Sequence, residues 1–206
     1  MTDDTEPLPH TVLGDRFTDA FAYAVHLHAR QARKGTAISY MTHLMTVCSL
    51  VLEDGGDEDQ AVAALLHDGP EDQGGRAVLD EIKRRFGDEV AAAVDGLSDT
   101  LVAAKPEWQP RKEAYLARLE DEPTSVLRVS LADKLHNLSS VAVDHAALGE
   151  SLWDRFNAGR EHQNWYYRGL LDVFERRLPD SRNLPEFARL VEEVFGREES
   201  DDQRTR

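Results

Sequence analysis

The sequence predicts a single all-α domain, and three observations predict it. Apolar residues recur at i, i+3 and i+4 along most of the chain, the spacing that lines the buried face of a helix. The one stretch that could pass for a strand, "RVSL" at 128–131, sits inside such a pattern. The 206 residues carry no internal repeat, heptad run or glycine-rich phosphate loop, and their number suits one well-cored domain.

Residues 15–34, "DRFTDAFAYAVHLHARQARK", place Phe17, Phe21, Ala24, Val25 and His28 at helical spacing until Gly35-Thr36 breaks the pattern. A second helix, about 42–53, carries Leu44, Val47, Cys48 and Val51, and "EDGGDED" turns the chain. A third, about 57–68, sets Ala61, Ala64, Leu65 and Asp68 on related faces. "RAVLDEIKRRFG" (76–87) is amphipathic and ends on a C-capping Gly87, and "DEVAAAVDGLSD" follows as a shorter helix. "TLVAAKPEWQP" (100–110), with two prolines, reads as a loop. Helical pattern returns at 111–120 and 124–141, then at about 149–157, 159–178 and 184–195, where Pro185 suits a first helical turn. Residues 1–14 are expected to be a flexible segment, 15–196 the domain, and 197–206 a disordered tail.

Apolar residues make up 41% and charged residues 31%, ordinary for a globular protein, but the net charge is −15. So acidic a chain has no general footprint for nucleic acid or an anionic membrane. A phosphorylated ligand would need a local basic cluster or a metal. No apolar run is long enough to span a bilayer, and "MTDDTEPLPHTVLGD" lacks the regions of a signal peptide, so the expected location is cytoplasmic. The single cysteine, Cys48, excludes an internal disulfide and a Cys-rich zinc site, and in "TVCSLV" it reads as a small core residue.

"ALLHDGPED" (64–72) ends an apolar stretch in a histidine and three carboxylates, with no Lys or Arg between Ala61 and Gly75. Carboxylates are unfavourable at a helix C-terminus, so a bound cation is the expected compensation. Four residues on three predicted helices could share one: His43, His67, Asp68 and Asp133. Imidazole with carboxylate suits a borderline divalent ion such as Mn(II), Fe(II) or Zn(II). Two neutral imidazoles and two carboxylates would leave such an ion near neutral, with coordination positions free. Taken singly, His43 reads as a core histidine and Asp133 as a capping carboxylate; only together do they point to a metal.

These residues fall in motifs that resemble the HD-domain metal-dependent phosphohydrolases, H…HD…D, and among them the RelA/SpoT-type hydrolase domain. "HARQARKGTAISYMTHL" (28–44) resembles its "H..Q.RK.G.PY..H", "AALLHDGPED" (63–72) its "AALLHD..ED", and "LADKLHNL" (131–138) its "ADRLHN". The three stand in the right order across roughly residues 15–175. The resemblance implies an all-helical alarmone hydrolase, similar to the stand-alone small alarmone hydrolases. Such an enzyme removes the 3′-pyrophosphate of guanosine tetra- or pentaphosphate, usually with Mn(II), and this length is expected to leave no room for a synthetase or regulatory domain.

By the same resemblance His43, His67, Asp68 and Asp133 would be the metal ligands, and Glu71 and Asp72 the pair that orients or deprotonates the attacking water. Asn137, four residues past Asp133, would hydrogen-bond the nucleotide. Arg33, Lys34, Arg111, Lys112 and Lys134 would draw in its phosphates, although each could equally be a solvated helix face. Tyr166 would contact the nucleotide, while Trp165 is expected in the core. Pro70 should kink or restart the helix and bias Gly69 away from helical angles, shifting Glu71.

Several positions depart from the family pattern. Ser39 and Leu44 stand where proline is usual, Gly69-Pro70 replace a branched apolar pair, Gln73 replaces a common threonine, and "SDT" (98–100) stands near a "VTK". They bear on substrate more than on reaction. Rival substrates are NADPH, an adenosine alarmone or a 5′-nucleotide. A rival class is a non-catalytic nucleotide sensor or an antitoxin, whose partner would be an alarmone synthetase. Oligomeric state leaves no trace in the sequence.

Overall fold

A computed structural model describes residues 10–100 and 107–196, and within them the chain is built of helices. The expectations for residues 1–9, 101–106 and 197–206 lie outside the described residues. The only extended pairing among the described residues is an isolated antiparallel bridge between Ala32 and Ser39. None of the described helices is long and apolar enough to cross a membrane.

Helix α1 (Asp15–His28) stops six residues short of the expected end. Ala, Arg, Gln and Lys favour helix locally, but residues 29–40 turn back on themselves instead. Arg33 N–H donates to Ile38 O at 2.8 Å and Tyr40 N–H to Gln31 O at 3.0 Å, around Gly35 at φ +76°. Val25, assigned to the core face, is 41% exposed; Ala20, Tyr23, Ala24 and His28 are the buried side.

Helix α2 (Met41–Glu53) buries His43, Leu44, Val47, Cys48 and Val51. Burial pushes the Cys48 thiol up to about 11, in keeping with a small core residue. Helix α3 (Glu58–Leu66) starts at Asp57, whose carboxylate accepts from Gln60 N–H at 2.9 Å and so satisfies one orphan donor of the first turn. It ends before His67 and Asp68, and α4 (Gly69–Gln73) restarts with Pro70 in its first turn, where no N–H is needed. The restart was expected, but Gly69 is itself helical. A Cβ there would lie 3.1 Å from Leu27 Cδ1, so glycine suits the close approach of α1.

Helices α5 (Arg76–Phe86) and α6 (Asp88–Leu97) meet at Gly87, whose φ of +95° is the left-handed conformation expected of a C-cap. Helix α7 (Trp108–Leu119) begins inside the stretch read as a loop, because Pro110 falls in its first turn, where proline is tolerated. Helix α8 (Thr124–Leu148) is the longest, and "RVSL" lies within it. At Gly149, φ +60°, it gives way to a 3₁₀ segment, Gly149–Arg155, where a regular helix was expected. Helices α9 (Arg160–Arg177) and α10 (Leu184–Phe195) close the chain. Trp165 is 40% exposed rather than buried: α9 buries Gln163, Tyr166, Tyr167, Leu170, Val173 and Phe174, which turns Trp165 outward.

The buried apolar residues form two clusters, one among α1, α2, α3, α5 and α6, the other among α7, α9 and α10. Helix α8 serves both. Val126, Val129 and Ala132 enter the first, while Leu127, Leu131, Leu135 and Leu138 enter the second. Each fully buried side chain of this kind stabilises the fold by about 1.5–3 kcal/mol. Asp54, at the end of α2, ties the clusters together by accepting from Arg128 Nε (3.1 Å), the Ser181 hydroxyl (2.9 Å) and Arg182 N–H (2.6 Å). Ahead of α1, the Thr11 hydroxyl donates to Gly56 O at 2.7 Å and Gly14 N–H to Glu58 at 2.6 Å.

Candidate metal centre

Asp133 lies four residues after Val129 and seven after Val126, so it continues the face of α8 that meets the first cluster. There α2 presents His43 from its first turn, and the end of α3 presents His67. His43, His67 and Asp133 are all buried, and each offers one ligand atom within 4.8 Å of the others. His43 Nε2 is 3.2 Å and His67 Nε2 3.7 Å from Asp133 Oδ1. Asp68 adjoins the set through both rings, its Oδ2 lying 3.4 Å from His43 Nε2 and 3.0 Å from His67 Nε2.

Each ligand is aimed by a neighbour. His67 Nδ1 donates to Ala64 O at 2.8 Å, which turns Nε2 inward toward the carboxylates. His43 Nδ1 lies 2.7 Å from Nδ1 of His136. Burial, with the His43 ring and the Arg33 guanidinium nearby, pushes His136 down to about 4; the His43 tautomer that can ligate through Nε2 is the one whose Nδ1–H donates to His136. The Tyr40 hydroxyl donates to Asp68 Oδ2 at 2.6 Å. Asp133 takes Lys134 Nζ on Oδ2 and Asn137 Nδ2 on Oδ1, both at 2.6 Å. Burial would lift the Asp133 carboxyl, but Lys134 and the imidazoles of His43 and His67 hold it well below its usual range. Burial would likewise lift Asp68, and the imidazoles of His67 and His43 depress it instead.

This arrangement fits a divalent cation. The buried Nε2 atoms of His43 and His67 have no partner in hydrogen-bond geometry among the described residues, and two ionised carboxylates stand beside them. Two imidazoles with carboxylates are the donor set of a borderline first-row ion.

The remaining predicted residues flank the cluster unevenly. Glu71 and Asp72 lie in the first turn of α4; the Glu71 carboxylate accepts from Asp99 N–H, and Asp72 Oδ2 accepts from Gln31 Nε2 at 2.7 Å. Arg33 reaches Asn137 Oδ1 at 2.8 Å, joining its loop to Asp133. Lys34 is exposed, with no hydrogen bond or ion pair among the described residues. Arg111 and Lys112 both meet Asp99 Oδ2, at 2.6 and 2.5 Å. Tyr166 is buried, its hydroxyl has no partner among the described residues, and Lys112 Nζ stands 4.8 Å from its ring centroid.

Sequence reasoning missed His28, Gln31, Tyr40, Asp99 and His136. Four of them stood inside motifs already quoted, and His136, three residues past Asp133, shares its helix face. Asp99 stood in "SDT", read only as a departure.

An all-helical bundle gathered around a buried His/Asp cluster defines a class of metal-site protein. The chain belongs to the HD domain family, whose model matches residues 20–162. It is 34% identical over 143 residues to a probable guanosine-3′,5′-bis(diphosphate) 3′-pyrophosphohydrolase of Synechocystis, covering 67% of this chain and 18% of the relative. It is 35% identical over 125 residues to a probable GTP pyrophosphokinase of Mycobacterium leprae, covering 59% of this chain and 15% of that one. The chain thus spans less than a fifth of either relative. Its fold superposes on a protein from Listeria monocytogenes with a TM-score of 0.66 at 29% identity, covering 75% of this chain and 99% of the other. A metazoan ortholog of SpoT, described as hydrolysing ppGpp, gives a TM-score of 0.70 over 91% of this chain and 99% of its own; at 22% identity that likeness is one of fold.

Proposed function

We propose that this chain hydrolyses the 3′-pyrophosphate of guanosine tetra- and pentaphosphate, releasing pyrophosphate with GDP or GTP, and that manganese is its working ion in the cytoplasm. The observation that carries the reading is the convergence of His43, His67, Asp68 and Asp133, with α4, which bears Glu71 and Asp72, beginning directly after Asp68. The names of the relatives point to the same substrate.

His43, His67, Asp68 and Asp133 would hold the ion, which when bound supplies Lewis acidity toward a phosphoryl oxygen and lowers the pKa of a bound water. Tyr40, His136, Lys134 and Asn137 hold Asp68, His43 and Asp133 in place, and the Ala64 carbonyl holds His67. Glu71 and Asp72 orient the attacking water and take its proton. A water-oxygen-to-phosphorus bond forms, the bond from phosphorus to the ribose 3′ oxygen breaks, and that oxygen takes up a proton from solvent, replacing the one the carboxylates removed from the water, to leave as a hydroxyl. Arg33, Lys34, Arg111 and Lys112 meet the phosphates, where guanidinium groups can clamp bidentately. Asn137 and Tyr166 border the nucleotide.

Purified protein with Mn(II) is expected to convert guanosine tetraphosphate to GDP and pyrophosphate, and His67→Ala or Asp68→Ala to abolish this. The pentaphosphate, NADPH and the adenosine analogue are run alongside. Product no greater than with Mn(II) alone rejects the hydrolase, and faster turnover of NADPH or the adenosine analogue rejects the guanosine assignment.

A further inference from the structure

We propose that Gln31, gripped by His28 and Gln73, is a positioning residue that fixes the Asp72 carboxylate for the attack of water. The inference rests on the hydrolytic reading above.

Gln31 lies in the loop after α1 and Asp72 in α4, yet Gln31 Nε2 reaches Asp72 Oδ2 at 2.7 Å. Which end of an amide donates is decided by its surroundings. Gln31 Oε1 lies 2.6 Å from Nδ1 of His28 and also accepts from Nε2 of Gln73. Both lone pairs of the carbonyl are therefore used. Turned round, the amide would set its oxygen against the Asp72 carboxylate, two acceptors in contact. The orientation is fixed, and with it the proton of His28, which sits on Nδ1.

His28 cannot swing away. Its ring is fully buried and lies 5.2 Å, centroid to centroid, from the near-parallel ring of Tyr40. Tyr40 in turn donates to Asp68. The loop at 29–40 thus seats one side chain on a proposed metal ligand and another on a proposed water-orienting carboxylate.

Asp72 needs such a hold because α4 has five residues and leaves it exposed. A free carboxylate there would sample several rotamers, whereas attack demands one geometry. With Oδ2 engaged by Gln31, Oδ1 is left as the oxygen to receive the attacking water.

Gln31→Met keeps the length of the side chain and removes both donor and acceptor. In the manganese-loaded protein kcat should fall about 10- to 100-fold, with KM for guanosine tetraphosphate and manganese affinity by calorimetry unchanged and a modest fall in Tm, because the buried His28 N–H loses its acceptor. Gln31→Glu, which still accepts from His28 and Gln73 but opposes Asp72 with a second carboxylate, should be equally slow. Gln73→Ala, on the surface, should lower kcat less, again at constant KM. Wild-type kcat in Gln31→Met or Gln73→Ala, or a loss in KM or metal affinity that accounts for the change, overturns the inference while leaving the hydrolase intact. A wild-type protein without activity removes the hydrolytic reading itself, and this inference with it.

Discussion

Asp99 holds two cations that sequence reasoning offered directly to phosphate. Burial would raise its carboxyl, but Lys112, Lys134 and Arg111 hold it below its ordinary value of 3.8. A carboxylate depressed in this way contributes stability that is complete above the ordinary value and is lost as pH falls through the depressed one. Asp99→Asn leaves Lys112 buried without its counter-charge and should cost about 3 kcal/mol at neutral pH. The gap between wild type and variant, measured by urea unfolding, should stay constant from neutrality down to about pH 5 and close below about pH 4; a gap that persists into acid would show that the ion pair is not its cause. At this scale His43, His67, Asp68 and Asp133 were legible because unlike ligand types recurred in three ordered motifs. His136 and Gln31 stood in those motifs too but were passed over, because what they aim is a side chain on another element, which only the packing shows. The acidity of "ALLHDGPED" was only half understood. Glu71 and Asp72 lie in the first turn of α4, where negative charge meets the favourable end of the dipole, so His67 and Asp68 are what remain to call for a cation.

Among the elements, the expected helices at 42–53, 76–87 and 184–195 stand within a residue of the observed ones, because each carries its own stop or start signal: Gly87 in the left-handed region, Pro185 in a first turn, the double glycine after α2. Helix α1 was overrun because nothing local ends it. Its stop is tertiary, made by Gln31 on Asp72 and Arg33 on Asn137. The start of α3 is the local case that can be tested most cleanly. Asp57→Ala removes the acceptor for Gln60 N–H and should destabilise the protein by about 1 kcal/mol. His67, at the far end of the same helix, should keep its place, so manganese affinity by calorimetry should not change. A drop in affinity as large as the drop in stability would mean that the ligand end of α3 frays with its cap.

Across the whole molecule, α8 contributes buried residues to both apolar clusters, and Asp133 sits on it opposite His43 and His67. A cation gripped there joins α2 and the end of α3 to the shared helix, so it should stabilise both clusters together. Binding to the folded state alone, at a hundred times the dissociation constant, is worth about 2.7 kcal/mol, or about 5 to 10 °C in Tm for a chain of this size. Calorimetry should therefore show one transition in chelator that moves upward as one when manganese is added, and His67→Ala should show no such movement. The same rise in His67→Ala would place the ion elsewhere on a surface of net charge −15, where carboxylates are plentiful. A transition that splits, with only the half containing α1 to α6 responding, would show that α8 does not couple the clusters, and that Asp133 is held by its own helix rather than by the site.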